Sequence, residues 1–427
     1  MLVNKGMKGP QILSPIGSFE CLYAAIQAGT DAVYFGVEQL NMRAKSVNGF
    51  QTEHIKEISQ ICKENHIKSY LTLNTIIYNH DIRFAHQIIK EARRNEIDAV
   101  IAADYAIIQL CQKENIPVHI STQANITNIE SVVFHSQFAD LIVLSRELTL
   151  KQIADITNEI KRKNITGPSG ERLKIEVFIH GALCMAVSGK CYISLHTQNA
   201  SANRGACAQN CRRPYKVIDT ENNQELLVDN EYIMSAKDLC TIDILDQIVK
   251  AGISILKIEG RSKSADYVYT TTKCYREAIE AINNGSYNQE KVECWKKELK
   301  SVYNRGFWEG YYLGRKLGEW TTNPGNNATQ KKIYIGRANK YYPAINVAEF
   351  TLEAGALQVG DKFMITGPKT GILQGQMDKL RVNGIEKDEA QKGDLLTFRI
   401  TNNKVLKGDK LYKVLLEENA KDHSLSQ

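Results

Sequence analysis

The sequence predicts an α/β protein, a (β/α)8 TIM-like barrel with a cysteine-rich loop after strand seven, followed by a small C-terminal β-barrel domain. Three observations carry this. Eight short apolar runs, nearly all with a helical pattern behind them, fill about 275 residues, the arithmetic of such a barrel. The runs are continuously apolar rather than alternating, as in parallel sheets covered on both faces. After a stretch rich in Gly, Asn and Thr, five further runs are parted by Gly and Asn turns, which reads as an all-β unit.

Taken in order, Gln11–Leu13 open the first strand, and Phe19, Leu22, Tyr23 and Ile26 follow on one helical face ended by Gly29. Ala32–Phe35 make the second strand, and Ile55, Ile58 and Cys62 line the next helix. Tyr70–Leu73 are the third strand, backed by Ala85, Ile88, Ile89 and Ala92. Ala99–Ala102, Val118–Ile120 and Leu141–Leu144 are strands four to six. Ile175–Ile179 are the seventh, running into the cysteine loop, and Ile253–Ile258 the eighth, with Tyr275, Ala278, Ile279 and Ile282 on the closing helix. An open doubly wound sheet would usually stop at five or six strands, and no G-x-G-x-x-G follows any strand.

The expected division is a catalytic barrel over 1–315 with the cysteine loop at about 180–215, a linker over 316–330, a β-domain over 331–416 and a frayed tail over 417–427. Between barrel strands seven and eight, Tyr215–Ile218 and Leu226–Val228 read as a hairpin around Glu221-Asn222-Asn223. The five β-domain runs are Lys332–Ala338, Phe363–Thr366, Leu380–Val382, Leu396–Ile400 and Leu411–Val414.

With 427 residues, 43% of them hydrophobic and 24% charged, the chain is large enough to bury a real core. The net charge of +6 permits an anionic partner without demanding one. Met1–Pro10 carry lysines with no apolar run behind them, so no secretory signal is expected. No stretch approaches the ~20 apolar residues of a membrane span, and a cytoplasmic location is the expectation. There, ten cysteines argue for metal or redox chemistry rather than a disulfide framework. Cys21, Cys62, Cys111 and Cys274 fall inside helical patterns and read as small core residues, and Cys294 as a plain helix residue.

Barrel function gathers at the C-terminal strand ends. Those ends hold Asn41, Arg43, Asn74, Asp104, Gln123, Asn125, Arg146, Glu147, His180, Lys257, Glu259 and Arg261. Roughly half of such residues serve as caps or mutual ion pairs. The basic-plus-amide lining suits an anionic small ligand or a nucleotide.

Cys184, Cys191, Cys207 and Cys211 stand in the pattern C-x6-C-x15-C-x3-C. Zinc sites usually bring two short pairs, and only Cys207 and Cys211 form one here. Iron–sulfur clusters tolerate irregular spacing, because a loop wraps them. An iron–sulfur cluster, a structural zinc and an inert set all remain open on spacing. Cys240 follows Lys237-Asp238-Leu239 and reads as structural, although a loop folding back would bring it near the four.

The segments HGALCMAVSGKCYIS, NRGACAQNCRRPY, SAKDL and LKIEGRSKSADYV, with DAVYFGVEQLNMRA, STQANITN and VLSREL before them, resemble the collagenase-like peptidase family U32. The resemblance covers about Gln11 to Ile282. It implies oxygen-independent hydroxylation of a tRNA wobble uridine, a ribosomal RNA cytidine or the ubiquinone ring. By length and by the β-domain, the chain is most similar to the tRNA branch, in which 5-hydroxyuridine forms with prephenate as hydroxyl donor. The resemblance also implies a [4Fe–4S] cluster on Cys184, Cys191, Cys207 and Cys211.

On that reading Arg146 and Arg261, with Lys257 and Gln123, meet the prephenate dianion, because a forked guanidinium suits a carboxylate. His180, Glu259 and Lys257 are the candidate catalytic groups, Glu259 and His180 being the two placed to move a proton. Arg204, Arg212 and Arg213, with Lys190 and Lys216 nearby, are the candidates to hold the phosphates of a tRNA anticodon loop. Peptidase chemistry is the alternative. The chain has no H-E-x-x-H and no G-x-S-x-G, and clustered thiolates suit a metal better than a nucleophile.

Overall fold

The computed structural model describes residues 9–42, 49–215, 232, 234–314, 319–322, 325–400 and 404–416. Arg43, Lys216, the hairpin beyond Tyr215, the Lys316–Gln330 positions 316–318 and 323–324, and the 417–427 tail lie outside the described residues.

The barrel is built as its apolar runs dictate. Its elements are β1 (Gln11–Pro15), α1 (Phe19–Gln27), β2 (Ala32–Phe35), α2 (His54–Glu64), β3 (Lys68–Leu73), α3 (Ile82–Arg94), β4 (Ala99–Ala102), α4 (Tyr105–Lys113), β5 (Val118–Ile120), α5 (Ile129–Ser136), β6 (Leu141–Val143), α6 (Leu150–Arg162) and β7 (Lys174–Gly181). There follow α7 (Ile193–Gln198), β8 (Asp238–Cys240), α8 (Leu245–Lys250), β9 (Ile255–Ile258), α9 (Ala265–Asn283), α10 (Gln289–Ser301) and β10 (Phe307–Trp308). Strands β1 to β7 pair in sequence order and in parallel, and β9 closes the ring by pairing with both β7 and β1. The eighth barrel strand of the sequence reading is thus β9. The short β8 is an addition that lies antiparallel on the end of β7, His180 opposite Cys240 and Gly181 opposite Leu239.

Strands such as β2 and β4 are buried at every position, because helices cover one face and barrel-filling side chains the other. Contacts between strands that are not neighbours identify the filling. Tyr70 of β3 packs against His119 of β5 with ring centroids 4.5 Å apart. Lys257 of β9 lies over the Tyr34 ring of β2 at 4.4 Å. Gly181 ends β7 at φ 104°, where a Cβ would come within 2.4 Å of the Glu259 carbonyl oxygen. Only glycine lets these two strand ends approach so closely.

The C-terminal unit comprises β11 (Gln330–Tyr342), β12 (Val347–Leu352), β13 (Ala356–Gln358), β14 (Lys362–Gly367), β15 (Gly371–Gln376), β16 (Leu380–Val382), β17 (Ile385–Lys387), β18 (Glu389–Gln391), β19 (Leu395–Arg399) and β20 (Lys410–Leu416). Eight of these form an antiparallel sheet in the order β15-β14-β20-β11-β12-β19-β16-β17. The unit has its own core, in which Phe398 stacks on Phe350 at 5.2 Å and meets Phe363 edge-on at 5.0 Å. It is fastened to the barrel by Gln27, whose side-chain amide donates to the Thr370 carbonyl at 2.8 Å and accepts from the Ile372 amide at 3.0 Å. The described part of the stretch read as a linker is laid along the barrel, with Trp320 bridged to Ala236 and Thr321 buried.

Candidate active site at the barrel mouth

A cavity of about 390 Å³ opens at the C-terminal strand ends, where a TIM-type barrel puts its chemistry. Its described lining includes all four loop cysteines and six cations, Arg146, Arg212, Lys257, Arg261, Lys263 and Arg305, against one carboxylate, Glu259. Lys257 and Arg305 are paired behind the wall with Glu176 and Asp238, and the positive excess that remains favours an anion.

The floor is a stack of cation and ring contacts. Lys257 Nζ lies 2.7 Å from Glu176 Oε1, with both side chains buried. It thus bonds to the neighbouring strand β7. Tyr34 Oη lies 2.8 Å from the Ile258 carbonyl oxygen and 3.2 Å from Glu259 Oε2. Arg261 Nη1 donates to Thr72 Oγ1 at 2.6 Å and to Asn41 Oδ1 at 3.1 Å. Arg146 stacks over the Phe178 ring at 3.8 Å and donates from Nη1 to the Ala182 carbonyl at 3.0 Å, while its buried Nε has no partner among the described residues. Gln123, also in the lining, has its buried Oε1 likewise without a partner among the described residues. A buried polar atom without a partner costs about 1–3 kcal/mol, so these two atoms are suited to a bound ligand or water.

The cysteine loop is held to the barrel at three points. Arg204 makes a two-pronged bond to Asp81, at 2.6 and 3.2 Å, and stacks on Tyr78. Arg212 donates to the Leu183 and Ala236 carbonyls and to Ser235 Oγ. Asn125, left-handed at φ 54°, donates to the Ser188 carbonyl at 3.1 Å. Among the described residues no group of three or more His, Cys, Asp or Glu is drawn tightly enough to hold a single metal ion. The four thiols nonetheless line the same cavity; burial raises the Cys211 thiol, Arg212 lowers it, and the other three thiols each raise it further. Four soft thiol donors on one cavity are the donor set that an iron–sulfur cluster takes. Cys240 is apart from them, buried in β8 with its sulfur 3.8 Å from Tyr275 Oη and its thiol pushed up to about 11 by burial.

The structure therefore gathers Gln123, Arg146, Lys257, Glu259, Arg261, Arg212 and the four cysteines at one cavity. It does not bring His180 there. The register of β7 against β9 slips between Phe178 and His180, and that irregularity turns the imidazole among Tyr267, Tyr275 and Phe307. Burial holds it down to about 3, so it is a neutral packing residue. Arg204 is committed to Asp81, and Arg213 is exposed. Sequence reasoning missed Tyr34, Glu176, Lys263 and Arg305. A glutamate inside the apolar run of β7 was the one available signal.

Residues 17–322 match the family described as "Peptidase family U32". The chain is 49% identical over 403 residues to "Collagenase" of Porphyromonas gingivalis W83, an overlap of 94% of this chain and 97% of that one. It is 33% identical over 314 residues to "tRNA hydroxylation protein P1" of Bacillus subtilis, 72% of each chain. It is 35% identical over 276 residues to "23S rRNA 5-hydroxycytidine C2501 synthase" of Escherichia coli, 64% of this chain and 39% of that one. A family match across the barrel and a relative alike along nearly the whole length agree: the chain belongs to peptidase family U32.

Proposed function

We propose that this protein is an RNA-hydroxylating enzyme, and specifically that it forms 5-hydroxyuridine at the tRNA wobble position without molecular oxygen. The observation that carries the reading is the single cavity uniting four cysteines with six cations. Support for RNA as acceptor comes from the relatives named for tRNA and rRNA hydroxylation. The tRNA reading has the larger overlap, 72% of the tRNA protein against 39% of the rRNA synthase.

Replacing C5–H by C5–OH is a two-electron oxidation, so the site must pass on two electrons as well as deliver oxygen. Cys184, Cys191, Cys207 and Cys211 would hold a [4Fe–4S] cluster, which when bound would supply one-electron redox capacity, so the two electrons would leave singly to an electron carrier outside this chain. The protein's own part is positioning. Arg146 and Arg261 present guanidinium groups for the carboxylates of the hydroxyl donor, proposed to be prephenate, with Lys257 beneath them. Glu259, beside Tyr34 Oη, is the group within the cavity suited to accept the C5 proton.

The 49%-identical relative named "Collagenase" favours a second reading, peptide hydrolysis. The described cavity lining holds cysteines and serines but no histidine to activate either. Mass spectrometry of tRNA nucleosides from cells lacking the gene separates the two. Loss of 5-hydroxyuridine derivatives, restored by the wild type and not by a Cys207→Ser variant, is expected. Intact wobble modification with no redundant pathway would overturn the tRNA reading and reopen ribosomal RNA, quinone precursor and peptide substrates.

A further inference from the structure

Close in sequence to the cavity-lining Asn74, Cys191 and Asn203, and at the start of α4, the fold leaves aromatic side chains in solvent. Tyr105 is 67% exposed, Tyr192 66% and Tyr78 50%. Contacts of neighbouring residues link them into one arc. Tyr105 opens α4 beside Asp104, whose Oδ2 accepts from the Ile77 amide at 3.0 Å, next to Tyr78. Arg204 covers one face of Tyr78 at 4.1 Å, and the neighbouring Asn203 accepts from the Cys191 amide at 3.1 Å, next to Tyr192. Three large exposed rings, none of them part of the core, mark an interaction surface.

We infer that this arc is a stacking platform for unpaired RNA bases flanking the nucleotide that enters the cavity; the inference rests on the RNA reading above. Rings of this kind offer flat faces to any base; the exposed Ile76, Met185, Val187 and Leu195 of the same segments would serve a protein partner instead, and the basic residues beside them favour RNA. Lys190 and Arg213 stand exposed on the same loop and supply charge complementary to phosphate. A base must leave its helix to enter a cavity of about 390 Å³, so its neighbours need a surface that replaces the lost stacking.

The test is anisotropy titration of a labelled RNA hairpin with an unpaired loop, and of the same sequence closed as a duplex. Tyr105→Ala and Tyr192→Ala should each weaken hairpin binding roughly five- to hundredfold, the size of one base–aromatic stack. Tyr→Trp at either position should retain binding, and the salt dependence should not change, because no phosphate contact is lost. Unchanged hairpin affinity in the alanine variants, while the wild type binds, would overturn the platform and leave the RNA reading standing. Altered self-association in sedimentation with RNA affinity intact would overturn it in favour of a protein contact. A wild type that binds neither RNA would overturn the RNA reading, and the platform with it.

Discussion

Lys257 Nζ and Glu176 Oε1 lie 2.7 Å apart within the barrel, with the side chains 5% and 0% exposed. The second oxygen, Glu176 Oε2, has no protein hydrogen-bond partner among the described residues. A buried charge stripped of its partner is far more costly than the pair is beneficial. Glu176→Gln should therefore cost about 3–5 kcal/mol in urea unfolding, whereas Glu176→Leu with Lys257→Met should recover most of it. A loss under about 1 kcal/mol for the single variant would show that Lys257 finds another counter-charge.

Serine at Cys184, Cys191, Cys207 or Cys211 should abolish iron and sulfide binding in anaerobically prepared protein, read by metal and sulfide assays with visible absorption. Serine at Cys240 or Cys274, both buried away from the cavity lining, should leave the iron content intact. Stoichiometric zinc without labile sulfide in the wild type would contradict the cluster assignment.

How much of this was legible in the sequence differs by level. Each barrel strand is an apolar run that needs only burial on both sides, so all eight could be read directly. β8 could not, because Asp238–Cys240 gains strand character only by lying on the end of β7. In the C-terminal sheet, β15 reads Gly-Ile-Leu-Gln-Gly-Gln and carries no alternation, so its pairing with β14 decides it. The cysteines announce themselves by spacing. Tyr34 and Glu176 look like strand filling, since which side a strand residue faces depends on register. For His180 that register slips, and a polar residue at a strand end becomes a packing residue.

The three loop arginines should separate on mutation. Arg213 is exposed, so Arg213→Glu should weaken RNA binding without unfolding the loop and should lower the slope of log K against log salt by about one. Arg212 bonds two carbonyls and Arg204 bonds Asp81, so replacing either should loosen the loop and lower cluster retention as well. Equal effects of all three on RNA binding, with cluster content unchanged, would show that all serve the phosphates directly.

Acid should destabilise the protein through two histidines. Burial holds His119 and His180 down to about 3, so both are neutral in the fold. In the unfolded chain each takes up a proton near pH 6.5. A folded pKa below the unfolded one means that stability is fully present above about pH 6.5 and is lost as pH falls toward 3. Each histidine should cost about 2 kcal/mol by pH 5. Asp238, whose carboxyl is raised by burial, works in the opposite sense. Urea unfolding between pH 7.5 and 5 checks this. His180→Gln and His119→Gln should each be less stable than the wild type at pH 7.5, yet lose about 2 kcal/mol less on acidification. A wild-type slope retained in both variants would place the acid sensitivity elsewhere, in groups whose protonation changes at the cavity rather than in the packed barrel.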